Sequence, residues 1–437
     1  MAKERKESVR VALLGCGTVG GGVLRLLADN ARNLATRVGV PLEVAHVLVR
    51  DPKKARVAAC RAEWVSTDPG RVLEDDSVDV VVEVMGGEQP AKDYIERAIS
   101  RGKAVVTANK LLIAKHGPAL LDAAIARRVD LAFEASVGGG IPIIRTLREA
   151  LASDSVASVH AILNGTSNYI LTRMRQAGLS FAAALAEAQA LGYAEAEPSL
   201  DVDGHDAAQK LTVMAMLAFG AKLDTKSMLV EGIRALDEID LAFADRFGFR
   251  LKHLGIGYDR GDRVELRVHP ALVRNTSVLA NVDGVLNGVF LMGKALGPCL
   301  LVGRGAGDMP TAVSVVADLV DVARARFDGE PGLATRGIRL ADRKLLPIEE
   351  TETRYYLRFD VGDHPGVIGA IASALGSQGV SIEQMVQEGR AAQAGAAVPV
   401  CIITHLCKEG AVRRAVDEIQ KKPFLQGAPR ILRIEEV

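Results

Sequence analysis

Short apolar runs alternate with helical patterns over the first third of the chain. The runs at residues 9–14, 43–49, 78–85 and 104–107 have few polar interruptions, and helical patterns follow at residues 21–27 and 90–100. Runs of this kind are typical of parallel strands that are buried on both faces. The alternation of strand and helix therefore predicts an α/β domain with a doubly wound parallel sheet.

A glycine turn joins the first run to the first helix. Gly15, Gly17 and Gly20 occupy it, and Thr18 and Val19 lie between them. In a strand–turn–helix context, such glycines let the backbone approach a pyrophosphate, whose charge is met by N–H groups at the helix start. The pattern predicts a Rossmann-type nucleotide-binding domain.

The end of the second strand bears on which cofactor binds. Arg50 favours NADP, because an arginine there accommodates a 2′-phosphate, whereas Asp51 beside it leaves NAD open. Two further positions follow parallel strands at the same predicted edge. Gly86 follows the third run, and Lys110 follows the run at 104–107. Ligands bind at that edge, so Lys110 is a site candidate, with a solvated lysine as the alternative.

A second glycine turn follows Glu134. It spans residues 135–142 and can bring main-chain carbonyls together. One carboxylate and several carbonyls can hold a hard cation, although a hinge or a close ligand approach explains the glycines equally well.

The middle of the chain changes character. Strand-like runs at residues 251–258, 263–269 and 285–292 predict an antiparallel or mixed sheet. Thr166, Ser167 and Asn168 suit helix caps. A third glycine turn, at residues 303–307, precedes a helix predicted over 312–327.

An acid-rich stretch at residues 192–210 runs directly into an apolar helix. Asp206 and Lys210 lie four residues apart, so they share one face of its first turns. Because the helix beyond is apolar nearly all round, it is expected to be buried, and the pair is expected to point into a site. The alternative is an exposed ion pair of little energetic weight.

The C-terminal part predicts a small module of its own. Residues 328–352 are rich in glycine, proline and charge and predict a linker. The elements that follow from residue 355 have the order β-α-β-β-α-β, with a turn near 389–396. This order is the ferredoxin-like arrangement.

Composition limits the partners and the compartment. The 54 basic residues balance 54 acidic ones, and basic runs are absent, which argues against nucleic acid as a partner. No apolar run reaches membrane-spanning length, and five scattered cysteines suit reduced thiols. A cytoplasmic protein without a membrane partner is expected.

Six segments in this order resemble the homoserine dehydrogenase family across residues 9–346, and the tail from residue 355 resembles an ACT domain. The segments are 15–20, 108–110, 134–142, 164–168, 192–210 and 303–311. Residues 363–366, Asp-His-Pro-Gly, match the ACT ligand loop. The resemblance is to the monofunctional type, so no kinase segment is expected before residue 9. The chain departs from the pattern at Glu197, where aspartate is common.

The resemblance implies interconversion of L-homoserine and L-aspartate 4-semialdehyde with NADP or NAD. It implies that Lys210 exchanges the proton, that Lys110 contacts cofactor and substrate, and that Glu195 and Asp206 bind the substrate with support from Asp201. The implied cofactor-binding residues are Gly15, Gly17, Thr18, Val19, Gly20, Arg50, Gly86, Lys110, Gly192 and Gly307. The implied sodium ligands are Glu134 and the main chain of Val137, Gly139 and Ile141.

The resemblance also implies the domain organisation. We expect a Rossmann domain at 1–137, completed by 310–345, and a mixed α+β substrate and dimerisation domain at 138–309. A linker is expected at 328–353, and a ferredoxin-like ACT domain at 354–437. A homodimer or homotetramer with threonine as effector is expected. Another NAD(P)-dependent amino-acid dehydrogenase, or a catalytically silent nucleotide and amino-acid sensor, is the alternative.

Overall fold

The computed structural model describes residues 7–387 and 397–437. The chain divides into two compact units. The first holds the described residues up to Ala157 together with Gln209–Leu223 and Leu291–Asp342. The second holds Ser158–Ala208, Asp224–Phe290 and, from Arg343 to the C-terminus, the described residues.

The strands and helices are given in chain order. The strands are β1 (Val9–Leu14), β2 (Leu42–Leu48), β3 (Val65–Ser66), β4 (Val80–Glu83), β5 (Ala104–Thr107), β6 (Leu131–Ala132), β7 (Val156–Ile162), β8 (Ala221–Lys222), β9 (Leu229–Val230), β10 (Phe249–Arg260), β11 (Arg263–Arg274), β12 (Leu286–Gly293), β13 (Gly297–Arg304), β14 (Ala341–Asp342), β15 (Lys344–Leu345), β16 (Glu352–Gly362), β17 (Ile382–Gln387), β18 (Ala397–Thr404), β19 (Cys407–Lys408) and β20 (Arg430–Glu435). The α-helices are α1 (Thr18–Asp29), α2 (Ala31–Val38), α3 (Pro69–Leu73), α4 (Ala91–Ser100), α5 (Lys110–Arg127), α6 (Ile143–Arg145), α7 (Gly165–Ala177), α8 (Phe181–Ala190), α9 (Ser199–Val202), α10 (His205–Ala218), α11 (Glu238–Arg246), α12 (Asp308–Phe327), α13 (Val367–Ser377) and α14 (Glu409–Gln420).

The first unit contains a parallel sheet. Within the described residues, six strands take the order β3-β2-β1-β4-β5-β6. This is the order of a Rossmann sheet, with the crossover next to β1, so the predicted doubly wound fold is confirmed. The central strands are buried on both faces, which explains their lack of polar alternation.

The last long helix, α12, completes the core of the first unit. It packs on α1 so closely that a Cβ at Gly22 would lie 2.9 Å from Ala312 Cβ. Arg25 Nη2 donates to Asp308 Oδ2 over 2.7 Å beside this contact. The two helices share one hydrophobic core with β1, β2 and β4.

A mixed sheet contains most of the remaining strands. Within the described residues, its order is β13-β12-β7-β10-β11-β20-β16-β18-β17. The last strand of the chain, β20, pairs in parallel with β11 and antiparallel with β16. The C-terminal elements β16, α13, β17, β18, α14 and β20 have the predicted β-α-β-β-α-β order, with the short β19 added. Apolar side chains from these elements form a core of their own.

Several element bounds differ from the sequence predictions. Helix α1 begins at Thr18 rather than 21, because the glycine turn itself supplies its first turn. Helix α6 is followed directly by a π-helical turn, Thr146–Ala150. Helix α11 and strand β13 were not predicted. The predicted turn at 389–396 lies outside the described residues, and the domain boundaries stay predictions.

A search for membrane spans found none. In residues 7–387 and 397–437, no helix has the length and apolar character needed to cross a bilayer.

Candidate active site

The glycine turn after β1 has the geometry that a pyrophosphate requires. Gly15 has φ +100°, and a Cβ at Gly20 would lie 2.3 Å from Gly15 O, so both positions need glycine. A Cβ at Gly17 would meet nothing within 4 Å, and the α1 N-terminus has no side-chain cap. The first N–H groups of α1, at Thr18, Val19 and Gly20, are thus available to an anion.

The thiol in this turn is not a nucleophile. Burial and, to a smaller extent, the neighbouring Cys60 thiol raise the pKa of Cys16 to about 11. Since the thiolate is the reactive form, Cys16 stays inert at neutral pH.

The carboxyl edge of the parallel sheet is held by a network that the sequence analysis did not identify. Glu83 is buried, and its Oε1 accepts from the N–H groups of Met85 (2.8 Å) and Gly86 (3.1 Å). Its Oε2 accepts from Thr107 Oγ1 over 2.6 Å. Asn109 Nδ2 donates to Gly87 O over 2.7 Å. The loops after β4 and β5 are therefore fixed together.

Two predicted site residues lie on these loops. Gly86 has φ +72° with no atom near its missing Cβ, so a ligand can approach its backbone. Lys110 is half-buried and is the first residue of α5, which Asn109 caps by accepting from Leu112 N. Lys110 therefore follows the carboxyl end of β5, as the sequence predicts.

The residues after β2 present positive charge. Arg50, Lys53 and Lys54 are exposed. The Asp51 carboxylate accepts from Lys53 N over 2.8 Å, which commits one of its oxygens to its own turn. Of Arg50 and Asp51, Arg50 is thus the more available to bind a group at the 2′ position of a cofactor ribose.

The second glycine turn places one buried carboxylate among main-chain groups. Glu134 accepts from Ile144 N (2.8 Å) and Arg145 N (2.7 Å), and burial raises the pKa of its carboxyl. Glu134 N donates to Asp318, whose pKa burial raises to about 7. Gly139 O accepts from Ser314 Oγ over 2.6 Å. Val137 and Ile141 lie buried in the same turn.

The third glycine turn packs directly on the second. A Cβ at Gly139 would lie 2.7 Å from Gly305 C and O. Gly307 has φ +125° and precedes α12 without a side-chain cap. The second and third glycine turns, which are far apart in the sequence, are thus in contact within the first unit.

In the second unit, one amide joins two of the predicted substrate acids. Asn164 Nδ2 donates to Asp201 Oδ1 (2.8 Å) and Asp206 Oδ2 (2.9 Å). Its Oδ1 accepts from Ser167 N and caps α7. Asn164 is therefore the cap, and the caps predicted at Thr166, Ser167 and Asn168 are wrong, because those three residues lie inside the helix.

The remaining acids of the stretch differ in exposure. Glu195 and Gly192 are exposed, Gly192 has φ +74°, and Glu195 O accepts from Gln189 Nε2 over 3.1 Å. Glu197 accepts from Ser199 N over 3.1 Å. The Glu197 carboxylate thus binds the main chain at the first residue of α9, Ser199.

Lys210 lies one turn after Asp206 on α10. Asp206 is 5% exposed and Lys210 is 8% exposed, so the exposed ion pair considered from the sequence is excluded. A buried amine one turn from a buried carboxylate can exchange a proton with a ligand and bind a cationic group of the same ligand.

Comparison with known families gives two matches. The model described as "Homoserine dehydrogenase" matches residues 142–320, and the model described as "Homoserine dehydrogenase, NAD binding domain" matches residues 15–134. The predicted site residues up to Glu134 lie in the second match, and those from residue 192 to 307 lie in the first.

Curated relatives are similar over the full length. The homoserine dehydrogenase of Pseudomonas aeruginosa is 43% identical over 98% of this chain and 99% of its own. That of Neisseria gonorrhoeae is 41% identical, with the same coverage.

Solved structures are similar as well. The homoserine dehydrogenase of Thiobacillus denitrificans has a TM-score of 0.92 at 42% identity, covering 98% of both chains. A hyperthermophilic archaeal homoserine dehydrogenase in complex with NADPH has a TM-score of 0.62 at 25% identity, covering 72% of this chain and 97% of that one.

Proposed function

The chain belongs to the homoserine dehydrogenase family, and from this premise we propose which of its residues carry out the reaction. The protein is an NAD(P)-dependent oxidoreductase that interconverts L-homoserine and L-aspartate 4-semialdehyde. The observation that carries the residue assignment is the buried Asp206–Lys210 turn of α10.

Oxidation of the alcohol removes a hydride from carbon and a proton from oxygen. The nicotinamide, when bound, supplies the hydride acceptor. Lys210, in its neutral form, accepts the hydroxyl proton on Nζ while the carbonyl forms. In the reverse direction, the Lys210 ammonium donates that proton to the oxygen as hydride reaches carbon. Lys110 contacts substrate and cofactor together and orients the reacting carbon.

The substrate carries an α-amino group, and the carboxylates supply its partners. Asp206 and Glu195 bind the ammonium, and Asp201 supports them. The double donation from Asn164 aligns Asp201 and Asp206, which limits the entropy lost when the substrate binds. Charge pairing with these acids, of which Asp206 is buried, selects an amino alcohol over an uncharged alcohol.

The residues of the first unit fit a dinucleotide. The open space at Gly17 and the uncapped start of α1 suit the pyrophosphate, next to Gly15, Thr18, Val19 and Gly20. Gly86, Lys110, Gly192 and Gly307 complete the cofactor set by family resemblance. Arg50 binds the 2′-phosphate, so NADP is the preferred cofactor.

A sodium ion is proposed at the second glycine turn. The Glu134 carboxyl and the carbonyls of Val137, Gly139 and Ile141 would hold it. Glu134 is 3% exposed, and burial raises its pKa, so a cation would offset the cost of its charge. The ion would rigidify the turn between the parallel sheet and α12.

Regulation and assembly are part of the proposal. The exposed loop at 363–366, which leads into α13, would bind threonine as an effector, as the ACT resemblance implies.

Exposed apolar residues on β13, with Leu300 39% exposed, support a homodimer or homotetramer. The five free thiols in the described chain support a cytoplasmic location.

One experiment tests the proposal. Initial rates with L-homoserine are measured with NADP and with NAD, with and without threonine, in sodium chloride and in choline chloride. We expect faster reduction of NADP, inhibition by threonine and stimulation by sodium. Faster reduction of NAD would remove Arg50 from its role, and equal rates in choline chloride would remove the cation site.

A further inference from the structure

Residues 230–234, named here the bridging segment, begin at the last residue of β9 and contact two distant parts of the second unit. One part is the acid turn, which runs from α9 to the start of α10. The other is the C-terminal strand β20 with helix α14. The main chain of the segment and the Arg234 side chain contact the acid turn, whereas the Glu231 side chain contacts β20.

The main chain of the bridging segment lies directly on the acid turn. A Cβ at Gly232 would lie 2.3 Å from Val202 O and 2.5 Å from Asp203 Cα. Ile233 N donates to Val202 O over 2.8 Å. Because no side chain fits between the two backbones, a shift of one must move the other.

Side chains strengthen the same contact. Arg234 Nε donates to Asp203 Oδ1 over 2.5 Å, and its Nη2 donates to Ser199 Oγ over 2.8 Å. These two groups lie at the two ends of α9, on either side of Asp201. Arg234 therefore holds α9, and with it a predicted substrate acid, to the segment.

The turn between Asp201 and Asp206 also rests on the segment. Gly204 has φ +89°, and a Cβ there would lie 3.1 Å from Val230 Cγ1 and 3.2 Å from His253 Nε2. The same His253 nitrogen donates to Glu231 O over 3.0 Å. The positions of the acids are thus tied to residues 230–232.

On the other side, the Glu231 carboxylate binds a buried arginine of β20. Arg433 Nη1 donates to Glu231 Oε2 over 2.7 Å, and Nη2 donates to Oε1 over 3.1 Å. Arg433 is 1% exposed and also donates from Nε to Glu409 Oε2, at the start of α14, over 2.8 Å. Such bidentate, charge-assisted pairs fix direction as well as distance.

We propose that Glu231 and Arg433 are positioning residues for the substrate acids, and that they couple the C-terminal module to substrate binding. This rests on the proposed function, in which Asp201 and Asp206 bind the substrate. A displacement of β20 or α14 moves Arg433, then Glu231, then the acid turn. An effector that binds the module therefore acts on the KM for L-homoserine rather than on the KM for NADP.

Three substitutions test the coupling: Glu231→Gln, Arg234→Gln and Arg433→Lys. Each should raise the KM for L-homoserine about 3- to 30-fold, the range of coupling through packed networks, and leave the KM for NADP unchanged. The matched control is Arg263→Gln, whose exposed pair with Glu350 (2.9 Å) lies in the same unit but away from the acid turn. It should leave both KM values unchanged.

The outcomes are distinguishable. If the wild type reduces NADP and the Glu231 and Arg234 variants keep its KM for L-homoserine, the coupling is overturned and the proposed function stands. If the wild type does not reduce NADP with L-homoserine, the proposed function fails and the coupling fails with it. Arg433→Lys loses the bidentate pair, so its folding is checked by circular dichroism, and Glu231→Gln, which weakens the same pair from its other member, still decides the question.

Discussion

The Asn164 side chain uses its two ends for different purposes. Its oxygen caps α7, and its nitrogen donates hydrogen bonds to Asp201 and Asp206. An asparagine is needed for both, because aspartate has no donor and serine has one hydrogen instead of two.

The change Asn164→Asp tests this role. The variant keeps the cap oxygen but sets a third carboxylate against Asp201 and Asp206, so the acids repel and splay apart. We expect the KM for L-homoserine to rise about tenfold or more, as charged hydrogen bonds contribute about 1.5–3 kcal/mol. Steady-state kinetics at pH 7.5 measures it. Asn281→Asp is the control, since its amide serves main-chain carbonyls. An unchanged KM for L-homoserine in the Asn164 variant would show that the Asn164 amide does not align Asp201 and Asp206 for substrate binding.

The proposed role of Arg50 in cofactor preference is tested by substitution. Replacing it by glutamine removes the charge expected at the 2′-phosphate, so kcat/KM for NADP should fall about tenfold while that for NAD stays constant. Asp51→Asn is the companion variant and should leave both values nearly unchanged. A fall for NAD in the Asp51 variant would instead assign the ribose hydroxyls to Asp51.

How far the sequence predicts these residues depends on the distance between partners. Lys210 and Asp206 are one helical turn apart, so a local pattern predicts that they share a face. The partners of Asn164 lie 37 and 42 residues away, and those of Glu83 and Asn109 are 24 and 22 away. Such contacts depend on how the strands and helices pack, which periodicity does not encode.

Elements were predicted best where one periodicity is uninterrupted. The buried strands β1 and β5 match their predicted bounds. The start of α1 was predicted three residues late, because glycine in a sequence predicts a turn whether or not a helix already begins there. Strand β13 was missed, since Gly297, Pro298 and Gly303 interrupt its apolar pattern.

Strand β7 carries a buried, neutral histidine, His160, whose partner Tyr258 lies on β10. His160 is 2% exposed, and its Nε2 lies 2.9 Å from Tyr258 Oη. Burial and, to a smaller extent, the charge of Arg267 lower the pKa of His160 to about 3. The unfolded chain has a histidine pKa near 6.5. The folded state therefore loses stability as the pH falls from about 6.5 towards 3.

The change His160→Gln should remove this acid sensitivity. Between pH 7 and pH 5, the wild type should lose about 2 kcal/mol of unfolding free energy that the variant keeps. Urea unfolding at the two pH values measures the difference, with the exposed His405→Gln as the control. Parallel losses in the wild type and the His160 variant would contradict the assignment.

The terminal strand β13 of the mixed sheet exposes apolar side chains. On β13, Leu300 is 39% and Val302 is 45% exposed, and Leu296 just before it is 57% exposed. Alternate residues of the strand face outward, so these side chains form one stripe. A stripe of this kind on a terminal strand is typical of a self-association surface.

The change Leu300→Glu tests that surface. A charge in the stripe should convert the proposed homodimer or homotetramer to a smaller species, because an unpaired carboxylate would be buried in the proposed interface. Sedimentation velocity measures the mass. Leu406→Glu, at a position 66% exposed, is the control. Retention of the wild-type mass by the Leu300 variant would place the interface elsewhere.

Lys210 is proposed to exchange the proton of the homoserine hydroxyl. The most direct measurement is the initial rate of NADP reduction at saturating L-homoserine for the wild type and for Lys210→Met, with NADPH binding measured on both by fluorescence. We predict a rate about 10²- to 10⁴-fold lower for the variant, with unchanged NADPH binding. Equal rates for the two proteins would contradict the claim.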